Sequence, residues 1–375
     1  MKRTLIGAAL GIALGTALLA PASAQASEPL SGRTPGCDVV DSDGSLTYTT
    51  DEGVTVTPTT GTLHSTKYTF DIAPLAKHGE LMAVDNVGTL FRSRDAGCSW
   101  SRVDQVSGIY AGRLAASSDG SAYLWDLYSS RLVHVDGTRL TELPPVALDT
   151  ELVELVVDPR DRRHLRAVTQ DGHLLDSSDA GRHFAVVGQR AGGSDTWLYS
   201  ATIDSQDLDH VVLGSVTYGS YATWDGGRTW SNDGMGMPGD RVNAFSVEIS
   251  PADPSVVYAQ GINLAESDAG RLSEGRHLYQ SRDGGRTFEP ILDQGRDVPN
   301  LQNGTLLAPS PADPYKVHFV FSTSYLDHGT DLYTLDTTHW TLSMAHDPHT
   351  ALDAIAFDPR NASVMYLGFG AEYIS

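Results

Sequence analysis

The sequence predicts an all-β chain folded as a seven-bladed β-propeller of four-stranded antiparallel blades, with the last blade closed by strands from both termini. Three observations carry this reading. A turn pattern of the form Ser/Thr-x-Asp-x-Gly-x-x-aromatic recurs along the chain. An Asp-Pro turn between two short apolar runs precedes it in three of the units. Beyond the N-terminal leader, helical periodicity is hard to find.

The pattern is clearest at Ser281-Arg282-Asp283-Gly284-Gly285-Arg286-Thr287-Phe288, between an alternating run and an apolar one. Its Ser and Asp side chains can bond the turn backbone, and its glycines supply positive φ. Good copies start at Ser93, Ser177 and Thr223, a degenerate one lies in Leu46 to Val56, a decayed one in Val133 to Thr138, and Thr334 to Trp340 is a copy missing one residue. Their aspartates fall at positions 51, 95, 136, 179, 225, 283 and 336, so the period is 41 to 58 residues. Asp158-Pro159, Asp253-Pro254, Asp313-Pro314 and Asp358-Pro359 each separate two apolar runs, and Asp158 stands 21 residues before Asp179. Each unit is therefore four short strands, A to D, with the Asp-Pro turn between A and B and the repeated turn between C and D. Units of this size and period stack as propeller blades. After Asp358 the chain stops before another repeated turn, so Leu46 to Val56 is expected to complete the last blade; strand C there comes from either Tyr373-Ile374-Ser375 or Leu46-Thr47-Tyr48. Small-residue runs such as Ala111 to Ala116, Ser200 to Ile203 and Gly304 to Ala308 suit the crowded inner rim.

Residues 1–26 have the form of a signal peptide: basic Lys2 and Arg3, an apolar run from Leu5 to Ala20, and small residues at Ala22-Ser23-Ala24, with cleavage after Ala24 or Ala26. Residues 27–45 form an arm, and 46–375 a single propeller domain. The expected product is a secreted monomer. Net charge is -21, which disfavours nucleic acid and anionic membranes as partners. In an exported protein the two cysteines, Cys37 and Cys98, are expected to form one disulfide that pins the closing strand to the first blade.

On these motifs the chain resembles Asp-box, or bacterial neuraminidase repeat, β-propellers along nearly all its mature length. Similar chains include sialidases, xyloglucanases, sortilin-type domains, photosystem II assembly factors and secreted actinomycete propellers. The resemblance implies that Asp95, Asp179, Asp225 and Asp283 are structural and lie on the face opposite any ligand. A sialidase would need a Phe/Tyr-Arg-Ile-Pro segment, and Phe91-Arg92-Ser93-Arg94 departs from it. A glycosidase needs two carboxyls about 5 to 10 Å apart, and one propeller offers half of the cleft found in xyloglucanase-like enzymes.

No nucleophile motif, phosphate loop or metal-ligand set stands out, so no catalytic residue, metal or cofactor is assigned. Asp41 to Glu52 opens like a calcium loop, but Leu46 replaces the required glycine. His346 and His349 make half a metal site at most. The distinguishing feature is a long insertion, Gly261 to Gly275, between strands B and C of the fifth unit, with a smaller expansion at Ser324 to Gly329. Connections B–C and D–A emerge together, away from the repeated turns. That loop face is expected to carry Asp126, Tyr128, Asp195, Trp197, Asp233, Asp268, Arg271, Tyr325, Asp327 and His328 as a rim for a secreted or envelope protein, or for a glycan. The function expected is non-enzymatic binding, with a glycoside hydrolase or lectin as the alternative.

Overall fold

A computed structural model of the chain describes residues 35–375 apart from 65–66, 147–149, 233, 237–239, 299–300, 302–305, 322–329, 348–349 and 372–375. The expected leader and residues 27–34 of the arm lie outside the described residues. Seven antiparallel sheets follow one another along the chain. Blade 1 comprises Thr69–Pro74, Leu81–Asp85, Thr89–Ser93 and Ser101–Gln105, as strands A to D. Blade 2 is Gly112–Ala116, Ala122–Asp126, Leu132–Asp136 and Arg139–Glu142; blade 3 is Leu152–Val157, Leu165–Thr169, Leu174–Ser177 and Ala185–Val187. Blade 4 is Leu198–Ile203, Val211–Ser215, Ser220–Thr223 and Ser231–Asn232; blade 5 is Val242–Ile249, Val257–Asn263, Arg276–Ser281 and Glu289–Asp293. Blade 6 is Leu307–Pro309, Lys316–Phe321, Thr330–Asp336 and Thr341–Asp347. Blade 7 pairs Thr350–Asp358 with Asn361–Ala371, and that strand with Leu46–Thr49.

The N-terminal segment therefore supplies strand C of blade 7, with Leu46 opposite Gly368 and Thr49 opposite Met365. Position D of that blade is reduced to one bridge between Thr49 and Val56. Burial follows position in the blade. Every residue of strand B is buried in blades 1 to 5, because both of its faces meet neighbouring blades. Strand D is the exposed edge, and sequences such as Ser-Arg-Val-Asp-Gln at 101–105 keep it from pairing with other chains. The apolar side chains gather into seven clusters, one for each pair of neighbouring blades. The seventh joins Leu46, Tyr48, Ala354 and Tyr366 of blade 7 to Ile72, Leu81 and Ala83 of blade 1, which closes the ring.

The repeated turns are built alike. Ser281 Oγ accepts from Gly285 N at 2.8 Å and donates to Asp283 Oδ1 at 2.8 Å, while Oδ1 accepts from Thr287 N at 2.9 Å. The same three bonds occur around Asp95, Asp179 and Asp225. They occur as well in the degenerate copy, where Thr49 bonds Gly53 N and Asp51, and Asp51 accepts from Thr55 N. At Asp336, where the copy lacks a residue, the carboxylate caps Thr338 N and His339 N instead.

Closure is covalent too. Cys37 and Cys98 form a disulfide with Cα atoms 5.7 Å apart, and beside it Asp41 N donates to Cys98 O while Asp41 O accepts from Trp100 N. Two corrections to the sequence reading concern the insertion. Gly261, Ile262 and Asn263 belong to strand B, so the excursion starts at Leu264, and it contains a short helix, Leu264–Asp268. Asn263 caps that helix by accepting from Ala265 N and Glu266 N. Asn followed three residues later by Glu is a readable start signal; a five-residue helix is too short for periodicity to reveal.

Two measurements test this account. Ser281→Ala leaves the buried Gly285 N–H without its partner and is expected to cost about 1–3 kcal/mol in urea unfolding. Ser281→Thr, which reproduces the arrangement at Thr223, should cost much less. Replacing both Cys37 and Cys98 by Ser should cost about 4 kcal/mol, the chain-entropy value for a loop of 61 residues; an unchanged denaturation midpoint would show that the closure does not need the link.

Candidate functional site

Antiparallel order puts turns A–B and C–D on one face and connections B–C and D–A on the other. On the latter face, the connections of blades 3, 4 and 5 form an aromatic shelf. The connection from blade 3 to blade 4 is tight. Gly193 N donates to Thr196 Oγ1 at 2.9 Å, Arg190 Nη2 reaches Thr196 O at 3.1 Å, and a Cβ on Gly192 would lie 2.1 Å from Thr196 Oγ1. This holds Asp195 and Trp197 outward, with Trp197 48% exposed. With the Gln170 amide oriented to suit its neighbours, its oxygen accepts from Trp197 Nε1 at 3.2 Å.

The B–C turn of blade 4 packs beside it. Val216 N donates to Trp197 O at 2.9 Å, and Val242 N donates to Thr217 O at 3.1 Å. Thr217 has φ +75°, a left-handed conformation costly for a β-branched residue, and its N–H is held by Asn243 Oδ1 at 2.8 Å. The strained turn presents Tyr218, whose hydroxyl donates to Asp195 Oδ2. That bond holds the Asp195 carboxyl below its usual range and pushes the Tyr218 phenol up. Tyr199 and Phe245 complete the shelf, their rings 4.4 Å apart.

Both of those rings sit at β-bulges. In five blades strand A skips one residue against strand B: Phe70, Val153, Tyr199, Phe245 and Asp353. The inner strands also bear charge. Asp71, Arg113, Glu154, Glu248 and Asp353 stand on strand A of blades 1, 2, 3, 5 and 7. Burial pushes Glu154 and Glu248 up to about 8 and Asp353 up to about 7, and burial raises Asp71 as well. Glu248 also feels the charges of Glu154, two blades away, and of Asp71 and Arg113, so the inner-strand charges lie within electrostatic reach of one another. Asp71 Oδ2 accepts from Leu114 N at 2.8 Å and Arg113 Nη1 donates to Phe70 O at 3.0 Å, tying blades 1 and 2.

The other expected rim residues are dispersed. Asp126 is the last residue of strand B in blade 2 and 1% exposed; its Oδ1 accepts from Tyr110 N and Ala111 N, so the carboxylate shapes the neighbouring connection. Tyr128, 75% exposed, and Tyr110, 64% exposed, flank it. Asp268 and Arg271 are exposed on the insertion. The insertion is anchored by Glu266, which meets His277 Nε2 at 3.2 Å, while His277 Nδ1 meets Asp293 at 2.8 Å. Asp233, Tyr325, Asp327 and His328 lie outside the described residues, as does His349. In the calcium-like segment Asp43 bonds Ser45 and Lys67, and Glu52 pairs with Lys316 of blade 6.

Tyr199, Tyr218, Phe245 and the axial carboxyls were not singled out from the sequence. For all but Tyr218, which sits in a B–C turn, the available signal was a large or charged residue inside an otherwise small-residue strand A. For the axial carboxyls, a folded pKa raised above the unfolded value means stability that is full below about 4.5 and is lost as pH rises toward 8. The double variant Glu154→Gln/Glu248→Gln is expected to melt with wild type near pH 4.5 and above it at pH 8; a pH-independent difference would contradict the axial burial.

No family model matches the chain. It is 42% identical over 373 residues, 98% of each chain, to the dispase autolysis-inducing protein of Streptomyces mobaraensis. Solved propellers share the fold at low identity. A YCF48 structure described as bound to D1 peptide superposes with TM-score 0.58 at 15% identity, covering 83% of this chain and 95% of that one. The GH74 enzyme of Niastella koreensis gives 0.58 at 16%, covering 86% of this chain and 53% of that one. Identity at that level over almost the whole length places this seven-bladed propeller in the family of the dispase autolysis-inducing protein.

Proposed function

We propose that this chain is a secreted, non-enzymatic propeller that captures an extracellular protein, a secreted protease or an envelope protein, on the loop face of blades 3 to 5. The observation that carries the reading is the shelf of Trp197, Tyr199, Tyr218 and Phe245 beside Asp195, held on braced connections. Rigid, partly exposed Trp and Tyr are the residue types that dominate binding energy at protein interfaces, because they bury large area at low entropy cost. The strained Thr217 supports it, since backbone strain persists where the surroundings over-determine it and clusters at ligand sites. The name of the relative connects that protein with a protease, and the acidic surface would steer a basic partner. The remaining loop-face residues, among them Tyr128, Asp233, Asp268, Arg271, Tyr325, Asp327 and His328, would form its periphery, while Asp126 would only brace the connection beneath them. Residues 1–26 are read as the export leader, with the mature chain starting after Ala24 or Ala26.

Immobilised mature protein, incubated with dispase and with the producer's culture medium, tests the reading. Wild type should retain a partner, and Trp197→Ala/Tyr218→Ala should weaken retention at least about tenfold. Equal retention by the variant would remove the shelf from the site. Release of sugar from a polysaccharide, lost in the same variant, would replace the reading with a carbohydrate-active one.

A further inference from the structure

The face bearing the repeated turns carries a cleft of about 440 Å³ between blades 2 and 3. We propose that it is an anion site for a doubly charged oxyanion: phosphate, or two neighbouring carboxylates on one ligand.

The cleft inverts the charge of the molecule. The chain has 47 acidic and 26 basic side chains, yet four arginines and two aspartates line this cleft. The arginines come from three separate segments. Arg139 lies past the hairpin of blade 2, Arg162 and Arg163 in the A–B turn of blade 3, and Arg182 in the repeated turn of blade 3. That last turn is held by the Ser177–Asp179–Gly181 bonds, so Arg182 stands on a fixed backbone. Asp119 is already committed: its Oδ1 accepts from Ser121 N and Oγ at 3.0 and 2.6 Å, and its Oδ2 pairs with Arg162 at 2.8 Å. Among the described residues, the guanidiniums of Arg139, Arg163 and Arg182 have neither an ion pair nor a hydrogen bond. Exposed arginines usually point into solvent singly, whereas these three converge on one concavity of ligand size.

The floor is ordered and polar. Tyr123 is buried beneath Ala180, whose carbonyl accepts from its hydroxyl at 3.4 Å, and its ring packs 4.9 Å from His134. His134 Nε2 lies 3.0 Å from Ser121 Oγ. Burial lowers the pKa of that imidazole, which leaves it neutral at pH 7. The cleft thus presents four guanidiniums against two carboxylates, an excess of two positive charges that a dianion would neutralise. Planar guanidinium forks match the paired oxygens of phosphate and carboxylate alike.

The site lies on the face opposite the proposed protein-binding shelf and does not depend on it. Isothermal titration of the mature chain at low salt, with inorganic phosphate in one arm and an acidic tetrapeptide in the other, tests it. Wild type should bind at least one of the two saturably, with affinity falling as salt rises, and the tighter arm names the source. Arg139→Ala/Arg182→Ala should lower that affinity at least about tenfold, while Arg102→Ala on blade 1 should leave it unchanged. Both substitutions are at exposed side chains, and matching melting curves would confirm an intact fold. No saturable binding by wild type in either arm, or equal affinity in the double variant, would overturn the proposal.

Discussion

Everything in this molecule depends on the ring being shut. A blade buries its apolar side chains only against its neighbours, so an open array would leave two large apolar faces in water. The chain meets that constraint by making blade 7 from both of its ends. Leu46–Thr49 adds to Asn361–Ala371, and the cluster of Leu46, Tyr48, Tyr366, Ile72 and Leu81 then fills the last gap. The Cys37–Cys98 link and the backbone bonds of Asp41 hold the same seam from outside. Lys316 to Glu52 adds a tie from blade 6.

The two faces divide the work. On one, a Ser or Thr hydroxyl, an Asp carboxylate and a glycine N–H lock the C–D turns of blades 1, 3, 4 and 5, with geometry so constant that even the degenerate copy at Thr49 and Asp51 obeys it. On the other, connections vary in length and carry the aromatic shelf. Between them, the bulges of strand A swing extra residues out of register near the axis. Tyr199 and Phe245 reach the shelf in this way, and Asp353 joins the ring of inner carboxyls. Desolvation raises the pKa of those carboxyls, Glu154 and Glu248 to about 8, so the same inner strands that position the shelf also weaken as pH rises.

Much of the fold was legible because a propeller repeats. The aspartates at 95, 179, 225 and 283 mark register, and Asp-Pro turns mark the first hairpin of a blade, so strand order followed from spacing alone. The disulfide was legible because a chain with two cysteines has one pairing available. The site was less so. Of the expected rim residues, Asp195 and Trp197 fall in the shelf, but the partner that orients Asp195, Tyr218, comes from the B–C turn of the next blade. Asp126 had the position of a rim carboxylate, yet it is buried and bonds two backbone N–H groups, a difference that depends on how the preceding connection folds over it.

The sequence by itself determined what is local and periodic: seven units, four strands in most of them, the turn that ends each strand C, and the insertion in blade 5. These are set by nearest-neighbour backbone chemistry, in which a Ser, an Asp and a Gly at fixed spacing have one good arrangement. Tertiary structure decided what requires several blades at once. The N-terminal segment, and not the C-terminal one, supplies the closing strand C, because Leu46 and Tyr48 fill the gap between blades 7 and 1. Glu154 and Glu248 come within electrostatic reach of each other only because the ring gathers every strand A around one axis. The shelf and the arginine cleft likewise exist only where neighbouring blades bring distant turns within contact.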